Sequence, residues 1–134
     1  MIPDLQSTLV CEDVRLEANG FNTLVGVISL IVVPMVPFRI MKLFVFSRWV
    51  NGEGEFSQKI RILTPTDERE ISSNVTPFRM TGSDAHTTTV VFFGSLEFPE
   101  YGDYPIEIYL NDDLKLRFPM RVIPIPGISQ EPVT

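Results

Sequence analysis

Closely spaced turn residues divide the chain into short segments rich in β-branched and aromatic side chains. The clearest segment covers residues 56–63, where apolar and polar side chains alternate as they do on a half-buried strand. No long segment repeats its apolar residues with the 3.6-residue period of a helix. A chain of this kind buries its apolar side chains by pairing strands, so the sequence predicts an all-β fold.

The positions of the turn signals predict about seven or eight strands. We predict strands over residues 5–17, 21–33, 38–50, 56–63, 87–98, 104–110 and 114–122. Asn51-Gly52-Glu53-Gly54 is predicted as a polar loop that reverses the chain, and residues 69–85 as a long loop or a short edge strand. Short strands joined by short turns are typical of a sandwich or a barrel. We expect an antiparallel two-sheet β-sandwich.

The size and composition of the chain suit one domain. Its 134 residues are 44% apolar, enough for a single core without disulfides or metals. No repeat or linker divides it. We predict a single domain over residues 1–123, followed by a Pro-rich C-terminal tail over residues 124–134.

Residues 21–50 hold more large apolar side chains than one sheet face requires. The segment 21–33 has almost no charge, which favours a central strand covered on both faces. The other interpretation is that part of this surface is exposed and buries against another chain. Both interpretations are open from the sequence alone.

The charge balance argues against polyanionic partners. Eleven Lys and Arg residues against seventeen Asp and Glu residues give a net charge of -6. The chain lacks the positive field that collects nucleic acid or an anionic membrane surface, so we expect neither partner. The apolar stretch at residues 25–38 is too short to span a bilayer and is interrupted by prolines.

The cysteine content and the first residues favour the cytoplasm. Cys11 is the only cysteine, so no intrachain disulfide can form, and small secreted domains often depend on disulfides. The first residues contain no basic segment followed by an apolar one, so we expect no signal peptide. We therefore predict a cytoplasmic protein.

One motif resembles a late strand of immunoglobulin-like sandwiches. In Tyr101-Gly102-Asp103-Tyr104-Pro105-Ile106, a glycine precedes a tyrosine by two residues and a core residue follows two later. Ile106 stands where many antibody-type domains have a cysteine. The resemblance implies an immunoglobulin-like architecture and not an antibody-type domain.

A wider set of motifs resembles a family of small uncharacterised bacterial proteins, known mainly as a domain of unknown function. The motifs that carry this resemblance are Cys11-Glu12-Asp13, Glu17-Ala18-Asn19-Gly20, Val25-Gly26-Val27, Gly54-Glu55-Phe56 and Phe98-Pro99-Glu100, with Gly102 and Tyr104. They are turns and core positions. The resemblance implies a bacterial or phage-related origin and a β-sandwich, and it implies no catalytic residue.

The residues that commonly carry catalysis are few. His86 is the only histidine, and its place at a strand start is typical of a polar edge residue. Ser83-Asp84-Ala85-His86 contains the letters of a hydrolase triad, but there is no Gly-x-Ser-x-Gly elbow to expose a nucleophile. Cys11 alternates with apolar neighbours in a strand and is expected to be a small buried side chain. Glu12 and Asp13 would raise the pKa of its thiol, which argues against a nucleophile. We expect no enzyme activity and no cofactor.

A weaker hypothesis concerns oxygen ligands. If successive strands reverse direction, residues 19–20, 51–55, 84–86 and 111–113 meet at one end of the domain. Glu53, Asp84, Asp112 and Asp113 are the candidates there for binding calcium, which prefers oxygen ligands. A solvated loop end without a bound metal is the simpler interpretation.

Two functions therefore remain open. The first is a non-enzymatic binding or structural module that contacts itself or another protein through a sheet face or edge. The second is a sandwich that binds calcium or a small polar ligand at the Asn- and Asp-rich loop end.

Overall fold

Strands make up almost the whole of the described chain. The computed structural model describes residues 1–126, apart from the side chains of Ser83 and Asp84. The strands are β1 (Asp4–Leu16), β2 (Asn22–Val27), β3 (Leu30–Val33), β4 (Phe38–Leu63), β5 (Glu70–Phe98), β6 (Gly102–Leu110) and β7 (Asp113–Pro124). The described residues contain no helix, and therefore none that could cross a membrane. The all-β prediction is confirmed.

The centre of the fold is one very long hairpin. Strands β4 and β5 pair from Phe38 with Phe98 down to Leu63 with Glu70, on either side of a turn at residues 65–67. The predicted chain reversal at residues 51–54 is wrong, because these residues continue β4. The predicted loop at residues 69–85 is also wrong, because this segment is part of β5.

The glycines in residues 51–54 bend the strand without ending it. The register shifts between Val50 and Gly52, Asn51 has a φ of 60° and Gly54 a φ of 122°. A bulge with left-handed residues sharpens the local twist while the ladder resumes on its far side. Residues 51–54 therefore do change the direction of the chain, but they bend β4 instead of ending it.

Each half of β4 has its own second neighbour. Strand β1 pairs with the first half, from Cys11 with Phe44 to Asp4 with Val50. Strand β6 pairs with the second half, from Gln58 with Leu110 to Ile62 with Ile106. The sheet order is β2-β1-β4-β6-β7-β3, with β5 against the other side of β4.

The sheet is mixed, which corrects the expected antiparallel arrangement. Strand β3 pairs in parallel with β7, from Leu30 with Arg121 to Val33 with Pro124. The segment 21–33 is thus two strands at opposite ends of the sheet order, so the prediction of one central strand is also wrong. Gly26, with a φ of 63°, interrupts the segment beside the end of β2.

One core joins both ends of the curled sheet. Buried side chains from six of the seven strands form a single apolar cluster, which includes Val10, Val33, Leu43, Met80 and Ile106. Trp49, before the bend of β4, stacks on Phe78 of β5 with ring centroids 5.9 Å apart. The bend therefore folds the long hairpin around a common interior.

The predicted tail lies largely outside the described residues. Strand β7 ends at Pro124, and residues 127–134 are not described.

Candidate functional site

The face of the sheet opposite the core carries ordered rows of side chains across β1, β4 and β5. In the register, Phe44 lies between Cys11 and Phe92, and Phe46 lies between Leu9 and Val90. The next row is polar, with Arg48 between Ser7 and Thr88. An apolar surface thus gives way to a polar one along the same strands.

The apolar rows expose an unusual amount of hydrophobic surface. We call Leu9, Phe44, Val90 and Phe92 the outer patch. Phe92 is 56% exposed and packs its ring 5.3 Å from that of Phe44. Its ring lies where a Cβ on Gly94 would clash, at 2.8 Å, so the glycine makes room for it. Contiguous exposed apolar side chains on a soluble domain typically mark a contact surface.

Trp49 is not part of this surface. Its side chain is fully buried, and its indole Nε1 donates a hydrogen bond to Oε1 of Gln58. Variants of Trp49 would therefore report on folding, and those of Phe92 on surface contacts.

An open cleft of about 510 Å³ borders the outer patch. It lies between the β1–β2 hairpin and the outer face of β4 and β5. Beyond Cys11, strand β1 has no pairing with β4, so this hairpin projects by itself. The ladder of β1 and β2 has no pair at Glu12, and Gly26, which lies opposite, adopts a left-handed conformation. The residues lining the cleft are Val14, Leu16, Gly20, Asn22, Arg48, His86, Thr88 and Val90.

Arg48 is the main charged group in the cleft. Its side chain is held by a 3.3 Å hydrogen bond from Nε to Oγ1 of Thr88, and its guanidinium lies 5.8 Å from the centre of the Phe46 ring. Among the residues that the structure describes, it contacts no carboxylate. A half-buried cation without a counter-ion is costly, and it attracts an anion from solution.

His86 lies at the same cleft, exposed and opposite Val50 in the ladder. Gly20 belongs to the hairpin turn in which Glu17 and Phe21 are hydrogen-bonded, as the Asn-Gly signal predicts. The sequence placed residues 19–20 and His86 at one end of the domain, and the structure does bring them together. It associates them with Arg48 instead of with a set of carboxylates.

The proposed calcium ligands fall in different settings. Glu53 is within β4, paired with Thr81, and its backbone N–H donates to the carbonyl of Met1. Asp112 lies in the β6–β7 turn and Asp113 begins β7, whereas the side chain of Asp84 is not described. The described side chains include no group of three His, Cys, Asp or Glu that could hold a metal ion. Calcium binding stays a prediction.

The cysteine is placed as the sequence predicts. Cys11 is fully buried on the outer face of β1, and burial raises the pKa of its thiol. A thiol with a raised pKa is a poor nucleophile at neutral pH.

A buried carboxylate on the other half of the sheet was not predicted from the sequence. Oε1 of Glu107 accepts from Nη1 of Arg61 at 3.1 Å and from the hydroxyl of Tyr109 at 2.8 Å, and its Oε2 accepts from Nη1 of Arg117. Glu70 pairs in turn with Arg61. These groups pair with one another, and the cluster joins β4, β6 and β7. Arg61 and Glu107 are direct partners in the ladder of β4 and β6, but they are 46 residues apart in the sequence, and nothing local in the sequence signals the pairing.

The model of a family of unknown function (DUF6941) matches residues 6–123. No curated protein matches the chain.

Proposed function

The chain belongs to the DUF6941 family, and we propose that it is a non-enzymatic binding module that acts through protein–protein contacts. The observation that carries the proposal is the outer patch. Phe92 and Val90 on β5 are 56% and 42% exposed, and Leu9 on β1, on the other side of β4, is 39% exposed. Because burying apolar area is the main favourable term in protein association, a partner that covers this surface gains free energy from burying it.

The charges around the patch favour a different protein over a second copy of the chain. On β4, Lys42 lies two residues before Phe44 and Arg48 four residues after it, and neither has a carboxylate partner among the described side chains. In a two-fold dimer the same surface meets itself, which would bring these cations near their own copies. A partner segment with acidic groups beside apolar ones complements the patch in both respects.

The absence of enzyme activity is part of the proposal. It is supported by the chemistry of the available groups, because the Cys11 thiol is buried and the exposed His86 contacts no carboxylate within the described side chains. The cytoplasm is the proposed location, since a single cysteine gives no intrachain disulfide.

We also propose that the curled sheet is an immunoglobulin-like sandwich. Two features support this: the common core, and a hydrogen bond of 2.7 Å from the Tyr104 hydroxyl to the carbonyl of Glu100. The latter resembles the tyrosine corner of such domains. The bacterial origin implied by the sequence motifs stays a prediction.

Site-specific photo-crosslinking in the native host tests the proposed function. A photo-reactive phenylalanine analogue at position 92 is expected to trap one partner, and the same analogue at position 75 is expected to trap none. Val75 is the matched control because it is also an exposed apolar residue of β5, 60% exposed, and lies outside the patch.

The trapped partner is then purified and titrated against the wild type and two variants. Phe92→Ser is expected to weaken binding at least about tenfold, as loss of a central aromatic contact does, and Val75→Ser to leave it unchanged. Equal effects of the two substitutions contradict the proposal. Light scattering of the isolated chain is expected to give a monomer, and a dimer that Phe92→Ser dissociates would show that a second copy occupies the patch.

A further inference from the structure

We propose that the cleft beside the β1–β2 hairpin binds a small organic anion, with one carboxylate held by Arg48 and a short apolar body lying between the hairpin and β5. This site adjoins the proposed protein contact, since Val90 belongs to both and Arg48 would face the acidic groups of the partner. The experiments below therefore use the isolated chain, in which no partner covers the outer patch.

The charge of the cleft favours an anion as the ligand. Six of the eight arginines in the chain form ion pairs, and within the described residues only Arg48 and Arg79 form none. Arg79 is exposed, so water solvates its charge, whereas Arg48 is half-buried. The protein has a net charge of -6, yet no described carboxylate pairs with the partly desolvated Arg48. Arg48 can therefore pair with an anion from solution.

The orientation of Arg48 also favours an anion. Its Nε is bonded to Thr88, which fixes the guanidinium plane against β5. Its two terminal nitrogens have no hydrogen-bond acceptor among the residues that the structure describes. A guanidinium with free terminal N–H groups binds a carboxylate through two parallel hydrogen bonds. The amide of Asn22 and the imidazole of His86 line the same cleft and supply further polar contacts.

The rest of the lining determines the class of anion. No carboxylate among the described side chains lines the cleft, and three of the eight lining residues are the aliphatic Val14, Leu16 and Val90. Inorganic phosphate would use the cation and leave these aliphatic groups in water. A carboxylate on a chain of a few carbons uses both. The cleft volume of about 510 Å³ lies within the range of about 300–1,000 Å³ typical of small-molecule sites.

Titration of the isotopically labelled protein with hexanoate, followed by amide NMR shifts, tests the proposal. Shifts are expected at Gly20, His86 and Thr88, saturating with a dissociation constant of about 1 mM. Hexanamide, which has the same shape without the charge, is expected to bind at least about tenfold more weakly. Equal binding of hexanamide would overturn the role of Arg48, and equal binding of phosphate would overturn the role of the apolar body.

Two pairs of variants localise the effect. Arg48→Gln is expected to weaken hexanoate binding at least about tenfold, while Arg79→Gln, which removes the other unpaired arginine, leaves it unchanged. Leu16 is 75% exposed, so Leu16→Glu can be expected to fold, and its carboxylate competes for Arg48 inside the cleft. Leu114→Glu, at an exposed residue of β7, is its control.

A competition experiment distinguishes a free ligand from a peptide. If an acidic hexapeptide displaces hexanoate at lower concentration than hexanoate itself binds, the cleft is a peptide site and the proposal is wrong. Retained hexanoate binding in both Arg48→Gln and Leu16→Glu overturns it as well.

Discussion

The indole Nε1 of Trp49 donates a hydrogen bond of 2.7 Å to Oε1 of Gln58, although both residues belong to the same strand. Nine residues of straight strand span about 30 Å, so this bond requires the sharp bend of β4 between them. Oε1 of Gln58 also accepts from Oγ1 of Thr89 on β5, at 2.9 Å. One buried amide oxygen thus ties together both halves of β4 and its hairpin partner.

Replacing this acceptor should destabilise the fold strongly. Gln58→Leu leaves the Trp49 and Thr89 donors buried and unpaired, and we expect the free energy of unfolding to fall by about 2–4 kcal/mol. Urea denaturation can be followed by the fluorescence of Trp49, the only tryptophan. Gln6→Leu, at an exposed residue of β1, is the control, expected to change stability by about 0.5 kcal/mol or less. Similar losses in the two variants would contradict the role given to Gln58.

A second prediction concerns the bend of β4, where two glycines face each other in the ladder. A Cβ on Gly52 would lie 2.6 Å from Cβ of Pro3 and 2.8 Å from Sδ of Met80, whereas a Cβ on Gly82 meets nothing within 4 Å. We expect Gly52→Ala to destabilise the protein by about 1–3 kcal/mol through overpacking. Gly82→Ala should be neutral or stabilising by up to about 1 kcal/mol. Thermal unfolding measures the stability of both variants. If Gly52→Ala is the more stable of the two, the bend tolerates a Cβ at position 52.

The tyrosine next to the β5–β6 connection gives a third prediction. Tyr104 is fully buried and its hydroxyl donates to the Glu100 carbonyl, so Tyr104→Phe should cost about 1–2 kcal/mol of stability. Tyr101→Phe removes a hydroxyl three residues away that makes no hydrogen bond within the described part of the chain, and it should leave stability unchanged. Denaturant midpoints of the two variants measure the difference. An unaffected Tyr104→Phe protein would remove this support for an immunoglobulin-like corner.

A fourth prediction concerns pH. The hydrogen bond from Arg61 is the largest cause that lowers the pKa of Glu70 below its ordinary value of 4.5. Because the folded protein holds this proton less tightly than the unfolded chain, the contribution of Glu70 to stability is complete above about pH 4.5 and is lost as the pH falls through the lower folded pKa.

The measurement is the urea midpoint of the wild type and Glu70→Gln at pH 5.5 and at pH 3.5. The variant should lose less stability between the two pH values, since it has no proton to bind at this position. Glu55→Gln, at an exposed residue of β4 without an ion pair in the described structure, should behave as the wild type. An equal loss in wild type and Glu70→Gln would mean that the Arg61–Glu70 pair contributes nothing in this range.

The candidate site was only partly predictable. The Asn19-Gly20 turn and His86 were expected at one end of the domain, and they do meet at the cleft. Arg48 was not among the site residues that the sequence predicted. Its importance arises from what surrounds it, namely Thr88 across the ladder and a lining in which the described side chains include no carboxylate, and both depend on which strands become neighbours.

The sequence by itself determined the all-β structure and some of the turns. Alternation over residues 56–63, the Asn-Gly turn at residue 20 and the turn at residues 111–112 depend on local backbone preferences, which neighbouring residues set. The tertiary structure alone decided that residues 51–54 bend a strand instead of ending it, and that β3 pairs in parallel with β7. Those outcomes rest on contacts such as Trp49 with Gln58 and Gly52 with Met80, whose free energy exists only when the distant segments have already met. Local propensity carries no information about such contacts, so the bend, the mixed sheet and the cleft that depends on them become visible only in the folded chain.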